Sequence, residues 1–236
     1  EDKGDHWLVN GQKIWTSYAD KADQIFALVR TDREASKHLG ISFLLIDMED
    51  AGVETRPIKL ISGNSPFCET FFDNVKAYKR NLIGEEGKGW AIAKYLLTHE
   101  REMISGFGAA PKKSVGQMAV ETMGADATGR LANSMLRQNI AQYQLDTVAF
   151  AATMARVGDE AKSGQGLGAA SSIFKYYGTE LNKRRNELNM AALGESALGW
   201  EGEAYHDGVA SRDWLRSKGN SIEGGTSEVQ LNIIAK

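Results

Sequence analysis

Up to about residue 80 the apolar positions come in short alternating runs, and past Gly84 they fall at helical spacing. The chain changes character once. In the first part Trp7-Leu8-Val9 and Lys13-Ile14-Trp15-Thr16 flank Asn10-Gly11, a dipeptide suited to a turn whose two central residues need positive φ, which predicts a hairpin. Further strands are predicted at 25–30, 41–47, 53–58 and 69–78, separated by charged turns or by turn formers such as Gly63-Asn64-Ser65-Pro66. Short strands at this spacing predict a small antiparallel barrel or sandwich. Beyond residue 66 the only proline is Pro111, and helices are predicted at 87–107, 111–123, 129–158, 169–193 and 227–236. A looser stretch covers 194–226, and the Gly-rich segment 158–168 reads as a loop. Long helices with short connections predict an antiparallel four-helix bundle. The expected fold class is α+β in two domains, a β-domain over 1–82 and a helical bundle over 83–236.

Composition narrows the function more than the fold. With 236 residues, 42% hydrophobic and 25% charged, the chain is ordinary globular material with room for one large core or two small ones. A net charge of −3 gives no basic footprint, so nucleic acid is not an expected partner. No apolar run approaches the roughly 20 residues of a membrane span, and no signal peptide opens the chain, so a cytoplasmic protein is expected. The single Cys68 cannot form an internal disulfide and reads as a small buried apolar residue. His6, His38, His99 and His206 share no metal-ligand spacing, and no metal is expected. Gly84-Glu85-Glu86-Gly87-Lys88-Gly89 lacks the spacing of a nucleotide-binding P-loop and its Ser or Thr.

Two stretches carry candidate chemistry. On the first predicted helix Trp90, Ala93, Leu97, Ile104 and Phe107 fall in one stripe at 100° steps, and Glu100 falls inside it. A carboxylate placed on a buried face without a partner has its pKa raised, which suits a general base; the same spacing also allows a structural carboxylate paired to Arg or Lys, or one in water at the stripe's edge. Near the C-terminus, Glu223-Gly224-Gly225-Thr226-Ser227-Glu228 leads into an apolar run, with Gln230 three residues past Ser227, which predicts a Gly-rich loop feeding a capped helix. Such a loop can approach a ligand closely, and free amides at a helix start favour an anion such as a cofactor phosphate.

That C-terminal stretch resembles the Glu-Gly-Thr-Ser-Glu-Ile-Gln signature of acyl-CoA dehydrogenases. Asn10-Gly11-Gln12-Lys13-Ile14-Trp15-Thr16-Ser17 is similar to a second family segment, and a third runs from Phe71-Phe72-Asp73-Asn74-Val75 through Asn81-Leu82-Ile83-Gly84 to Gly89-Trp90. All three stand in family order. The resemblance implies an FAD enzyme whose carboxylate removes the α-proton of an acyl-CoA thioester while a β-hydride passes to flavin N5, with electron-transfer flavoprotein as acceptor. It implies that Trp15 packs beside the flavin, that Thr16 and Ser17 offer hydroxyls near N5, with Ser17 at the hydroxyl position, and that Thr226 and Glu228 contact the flavin chain and diphosphate.

Leu97-Thr98-His99-Glu100-Arg101 resembles the helix position that holds the base in the isovaleryl and long-chain branches. Elsewhere in the family the base directly precedes the Gly-Thr of the signature, where this chain has Gly224. Glu100 is therefore the expected base, Glu223 the runner-up, and Arg101 the expected substrate-positioning residue. The family's cross-subunit Arg-x-x-Phe-Gly motif has Arg137 as its nearest counterpart, and its Gly-Gly-x-Gly stretch reads Leu193-Gly194-Glu195-Ser196. The family's N-terminal helical domain and Gly-Ser-Asp segment have no counterpart, so the chain is expected to be a fragment or a processed piece. Apolar residues at Phe150, Met154 and Val157, alongside Ile173, Phe174 and Tyr177, exceed what one bundle core can use, and a homodimer or tetramer is expected. The alternatives are a non-catalytic partner subunit of a heteromeric dehydrogenase, or a flavin monooxygenase or acyl-CoA oxidase on the same fold.

Overall fold

The structure, a computed structural model, describes residues 1–105, 113–164 and 168–236, with the side chains of 98–105 outside that description. The chain is α+β and divides into two compact units, Glu1–Leu97 and Thr98–Lys236. In the first, β1 (His6–Ser17), β5 (Phe67–Tyr78) and β4 (Val53–Ile58) form one antiparallel sheet in the order β1-β5-β4. The other sheet, in the order β2-β3-β6, comprises β2 (Gln24–Arg30), β3 (Ile41–Asp47) and the short β6 (Leu82–Ile83). Among the described residues the strands do not close into a barrel. Instead the inward side chains of both sheets, Trp7, Phe72, Val75 and Ala77 from one and Ala27, Leu44 and Ile46 from the other, make one core. Cys68 is fully buried, its Sγ donating to Asp20 Oδ1 at 3.6 Å, and burial pushes its thiol pKa up.

The hairpin expected at Asn10-Gly11 is absent. Residues 6–17 are one strand, paired along its length with β5. Turn chemistry is used here for a bulge. From Val9 to Gly11 β1 advances two residues while β5 advances three, Val75 to Phe72. The extra residue puts Asn74 at a φ of 51°, and Asn10 Oδ1 accepts from the Asn74 amide at 2.9 Å. The tertiary pairing to β5 outweighs the local preference for a two-residue turn.

Helix α1 (Gly89–Ser105) begins against β3: a Cβ at Gly89 would stand 2.5 Å from the Ser42 carbonyl carbon, and the Gly87 amide donates to Ser42 Oγ at 2.9 Å. Only glycine permits that approach. Along the stripe read from the sequence Ala93 is buried, Trp90 is half-buried with its ring stacked on His38 at 4.1 Å, and Leu97 is 41% exposed. The side chains of Glu100, Arg101 and Ile104, and all of Phe107, lie outside the described residues.

In the second unit α4 (Ala170–Leu193) is the hub. Packed on it are α2 (Val115–Met123), α3 (Ser134–Lys162), α5 (Val209–Lys218) and α6 (Ser227–Ile234). Ser114 and Gln117 form a reciprocal capping box that starts α2, and Asn133 caps α3. An apolar cluster of Val115, Ala119, Leu131, Leu136, Ile140, Leu188 and Ala192 ties α2, α3 and α4 together. The looser stretch over 194–226 contains a helix the sequence pattern hid. Helix α5 starts without a side-chain cap, behind His206, Asp207 and Gly208, all at left-handed φ, so the usual start signal is missing. Helix α3 also runs past 158 to Lys162, shortening the expected loop.

Candidate functional site

Two clusters of candidate residues are described, one in each unit. In the first unit a second bulge shapes the end of β1. From Lys13 to Thr16 β1 advances three residues while β5 advances two, Thr70 to Cys68. The surplus residue takes Trp15 to a φ of 63° and turns it outward, 57% exposed, with its ring edge-on to Phe67 at 6.2 Å. A bulky residue in the left-handed region costs on the order of 1–3 kcal/mol, so the sheet pairing is holding the indole in an unfavourable pose. Thr16 faces the sheet instead. Its Oγ1 donates to the Cys68 carbonyl at 2.9 Å and meets Thr70 Oγ1 at 2.6 Å, which leaves its proton committed within the sheet. Ser17 is exposed at the strand's end, and its hydroxyl makes no hydrogen bond among the described residues. Tyr18, absent from the residues expected here, follows at a φ of 51° and 58% exposed, extending the aromatic surface.

The second cluster is the loop between α5 and α6. Gly224 and Gly225 adopt left-handed φ of 61° and 93°, and a Cβ at Gly225 would stand 2.6 Å from Gln230 Nε2. Glycine is needed there for conformation and for space. Thr226, with Ser227 after it, is the residue that caps α6, accepting from the Val229 amide at 3.3 Å. Gln230 does not complete a capping box. It is fully buried, and its Nε2 donates back to the Gly224 carbonyl at 3.0 Å and the Gly225 carbonyl at 3.5 Å. Gln230 thus fastens the loop from beneath. Glu228 is exposed in the first turn of α6, where its own backbone amide and then the Thr226 hydroxyl hold its carboxyl below the usual range.

Glu223 is engaged by its neighbours. Arg216 Nη1 lies 2.7 Å from its Oε1 and Asn220 Nδ2 donates to Oε2 at 3.2 Å. The loop is further tied to α4, where Asn182 Nδ2 donates to Asn220 Oδ1 at 2.6 Å and Ser221 Oγ donates to Glu180 at 3.4 Å. Arg137 is committed to its own turn, donating to the Leu131 carbonyl at 2.6 Å.

Beneath this loop α4 presents a buried polar stripe in place of an apolar one. Ser172, Lys175, Thr179 and Asn186 share one helical face and are all buried. Lys175 is 0% exposed, and its Nζ has no hydrogen-bond partner. Burial pushes its pKa below the ordinary lysine value, the carboxylates of Glu223 and Glu180 pull it back, Lys183 lowers it and Glu228 raises it. Sequence reasoning missed Lys175 because a lysine on a helical face reads as exposed, and only the packing of the helices around α4 shows that this face is buried. No group of three or more His, Cys, Asp or Glu that could hold a metal occurs among the described residues, and none of their helices is long and apolar enough to cross a membrane.

Comparison with known proteins places these clusters in context. The family model described as "Acyl-CoA dehydrogenase, C-terminal domain" matches residues 87–236, and that described as "Acyl-CoA dehydrogenase, middle domain" matches residues 1–75. The chain is 30% identical over 236 residues to the acyl-CoA dehydrogenase IpdE1 of Mycolicibacterium smegmatis, covering 98% of this chain and 57% of that protein. It superposes with a TM-score of 0.82 and 26% identity on an acyl-CoA dehydrogenase from Geobacillus kaustophilus, over 99% of this chain and 62% of that one. Against the ChsE4-ChsE5 complex from Mycobacterium tuberculosis the TM-score is 0.75 at 28% identity, over 99% of this chain and 61% of that one. The chain thus spans less than two thirds of the length of these proteins.

Proposed function

Because the chain belongs to the acyl-CoA dehydrogenase family, we propose that this protein is an FAD-dependent oxidoreductase that introduces an α,β double bond into an acyl-CoA thioester. The carrying observation is the state of the two carboxylate positions around the signature loop. Gly224 has no side chain at the position directly before Gly225-Thr226, and Glu223 is held by Arg216 and Asn220. Both of its carboxylate oxygens are thus engaged within the chain, Oε1 by Arg216 and Oε2 by Asn220. We therefore assign the base to Glu100 on α1, with Arg101 beside it positioning the substrate.

The chain's own residues fit a flavin cofactor in chemical kind. Trp15 offers an outward aromatic face, Ser17 a free hydroxyl, and the left-handed Gly224-Gly225 pair exposes backbone without Cβ atoms in front of the α6 N-terminus. In this proposal Trp15 and Ser17 flank the ring system, Thr16 supports them from the sheet, and Thr226 and Glu228 line the side of the flavin chain and diphosphate. When bound, FAD supplies the hydride acceptor. Glu100 removes the α-proton, whose electron pair becomes the new double bond as the β-hydrogen departs with its own pair. Electron-transfer flavoprotein is the proposed oxidant of the reduced enzyme, and the cytoplasm its compartment.

The test is Glu100→Gln in the full-length protein, followed by the bleaching of flavin absorbance on mixing with acyl-CoA thioesters. The amide keeps the shape but accepts no proton, and the reduction step should slow by about 10² to 10⁴ fold with substrate binding little changed. Glu223→Gln should slow it only modestly. The reverse pattern would transfer the role of base to Glu223.

A non-catalytic partner subunit is the alternative, favoured by Gly224 and by the likeness to a chain of the ChsE4-ChsE5 complex. A colourless full-length protein, soluble only together with a second chain, would establish it.

A further inference from the structure

We propose that Lys175 is a positioning residue for the signature loop, its buried ammonium on α4 drawing the Glu223 and Glu228 ends of residues 223–228 onto the helix. Three observations carry this. Lys175 is among the largest fully buried side chains of the described residues, and its Nζ is without a hydrogen-bond partner. A buried cation in that state is disfavoured unless surrounding charge compensates it. The compensation comes from carboxylates at both ends of the loop, Glu223 before Gly224-Gly225 and Glu228 after Thr226, with Glu180 contributing from α4 itself and Lys183 opposing.

The two glycines between those carboxylates have no side chains of their own to pack, so a charge that attracts both flanks adds to the hold that the Gln230 amide has on their carbonyls. The remaining ties are short bonds, among them those of Arg216 and Asn220 to Glu223 itself. Asn182 holds Asn220, Glu180 holds Ser221, and Gln230 holds the Gly224 and Gly225 carbonyls. Gln230 Oε1 is itself a buried acceptor without a donor, so among the described residues α4 and α6, which pack together, carry three unpartnered buried polar atoms: Ser172 Oγ and Lys175 Nζ on α4 and Gln230 Oε1 on α6. Gln230 ties the centre of the loop, Lys175 adds attraction at its two flanks, and the role of Lys175 is to keep residues 223–228 in the pose that faces a ligand.

This inference rests on the reading of the loop as a wall of the cofactor site, but its test does not require a bound cofactor. Amide hydrogen exchange is measured on the ligand-free full-length protein for the wild type, Lys175→Met, Glu228→Gln and the double variant. Lys175→Met should speed exchange at residues 223–228 at least tenfold while the amides of α2 and α3 keep their rates. Glu228→Gln should speed exchange over the same residues, and should add nothing in the Lys175→Met background, because both changes break one attraction. Unchanged loop exchange in Lys175→Met, exchange accelerated equally across α2, α3 and α4, or additive effects in the double variant would each overturn the proposal. If Lys175→Met does not fold, Glu228→Gln decides alone: faster loop exchange supports the assignment and unchanged exchange overturns it. Failure of flavin to bind leaves these rates meaningful, so the two proposals fail separately.

Discussion

Lys175 is the residue at which stability and positioning pull in opposite directions, and its burial fixes the sign of a pH effect. Its folded-state pKa lies below that of an unfolded lysine, about 10.4. Below the folded value both states carry the proton, and the folded protein bears the part of the cost of burying an ammonium that the neighbouring carboxylates do not offset. As pH rises through that value toward the unfolded one, the folded state gives up its proton first and the cost is relieved. Wild-type stability should therefore gain on that of Lys175→Met as pH rises from neutral toward 10, with the variant the more stable at pH 7. Urea midpoints of both proteins across that range measure it, and a difference independent of pH would mean that the ammonium is not buried in solution. Trp15 shows the same tension in conformational terms, a bulky side chain held at a left-handed φ of 63° by the pairing of its neighbours.

At the scale of elements, the loop and α6 behave as one device. Thr226 caps the helix, Gln230 reaches back beneath it, and Gly225 supplies both the left-handed φ and the space that Gln230 occupies. Gly225→Ala should cost about 1–3 kcal/mol through the strained φ and the displaced Gln230 amide. A urea midpoint unchanged in the variant would mean that the loop adopts another conformation in solution. Helix α3 presents a different case. Phe150, expected to seek another subunit, packs within the chain against Phe174 and Tyr177, each with ring centroids at 5.9 Å, while Val157 and Phe174 are buried. The apolar side chains left outside are Met135, Leu145 and Val148, between 66% and 74% exposed. Burial of aromatics between α3 and α4 could not be told from burial between subunits, because helical spacing gives a face and not its partner.

For the whole molecule, the exposed residues of α3 keep self-association as the expectation. Light scattering on the full-length protein at micromolar concentration should report a dimer or larger, and a monomer would count against it. The sequence by itself determined most of the elements. The strands at 41–47 and 53–58 and the helix at 169–193 were legible because β-branched alternation, apolar periodicity and turn formers at the ends are local properties, and the structure has Ile41–Asp47, Val53–Ile58 and Ala170–Leu193. The sequence also marked Glu223, Thr226, Glu228 and the Trp15-Thr16-Ser17 segment as candidates. Only the tertiary structure decided how these residues are used. Asn10-Gly11 sits beside a bulge because β5 pairs across it, Thr16 is consumed by Cys68 and Thr70, and Glu223 is claimed by Arg216. Lys175 is buried on α4, the helix against which α2, α3, α5 and α6 all pack, where a charged residue at that position would otherwise stand in water. Periodicity and turn preference act over a few residues and can be read along the chain. Which donor meets which acceptor depends on residues tens of positions apart being brought together, and that is settled only when the chain folds.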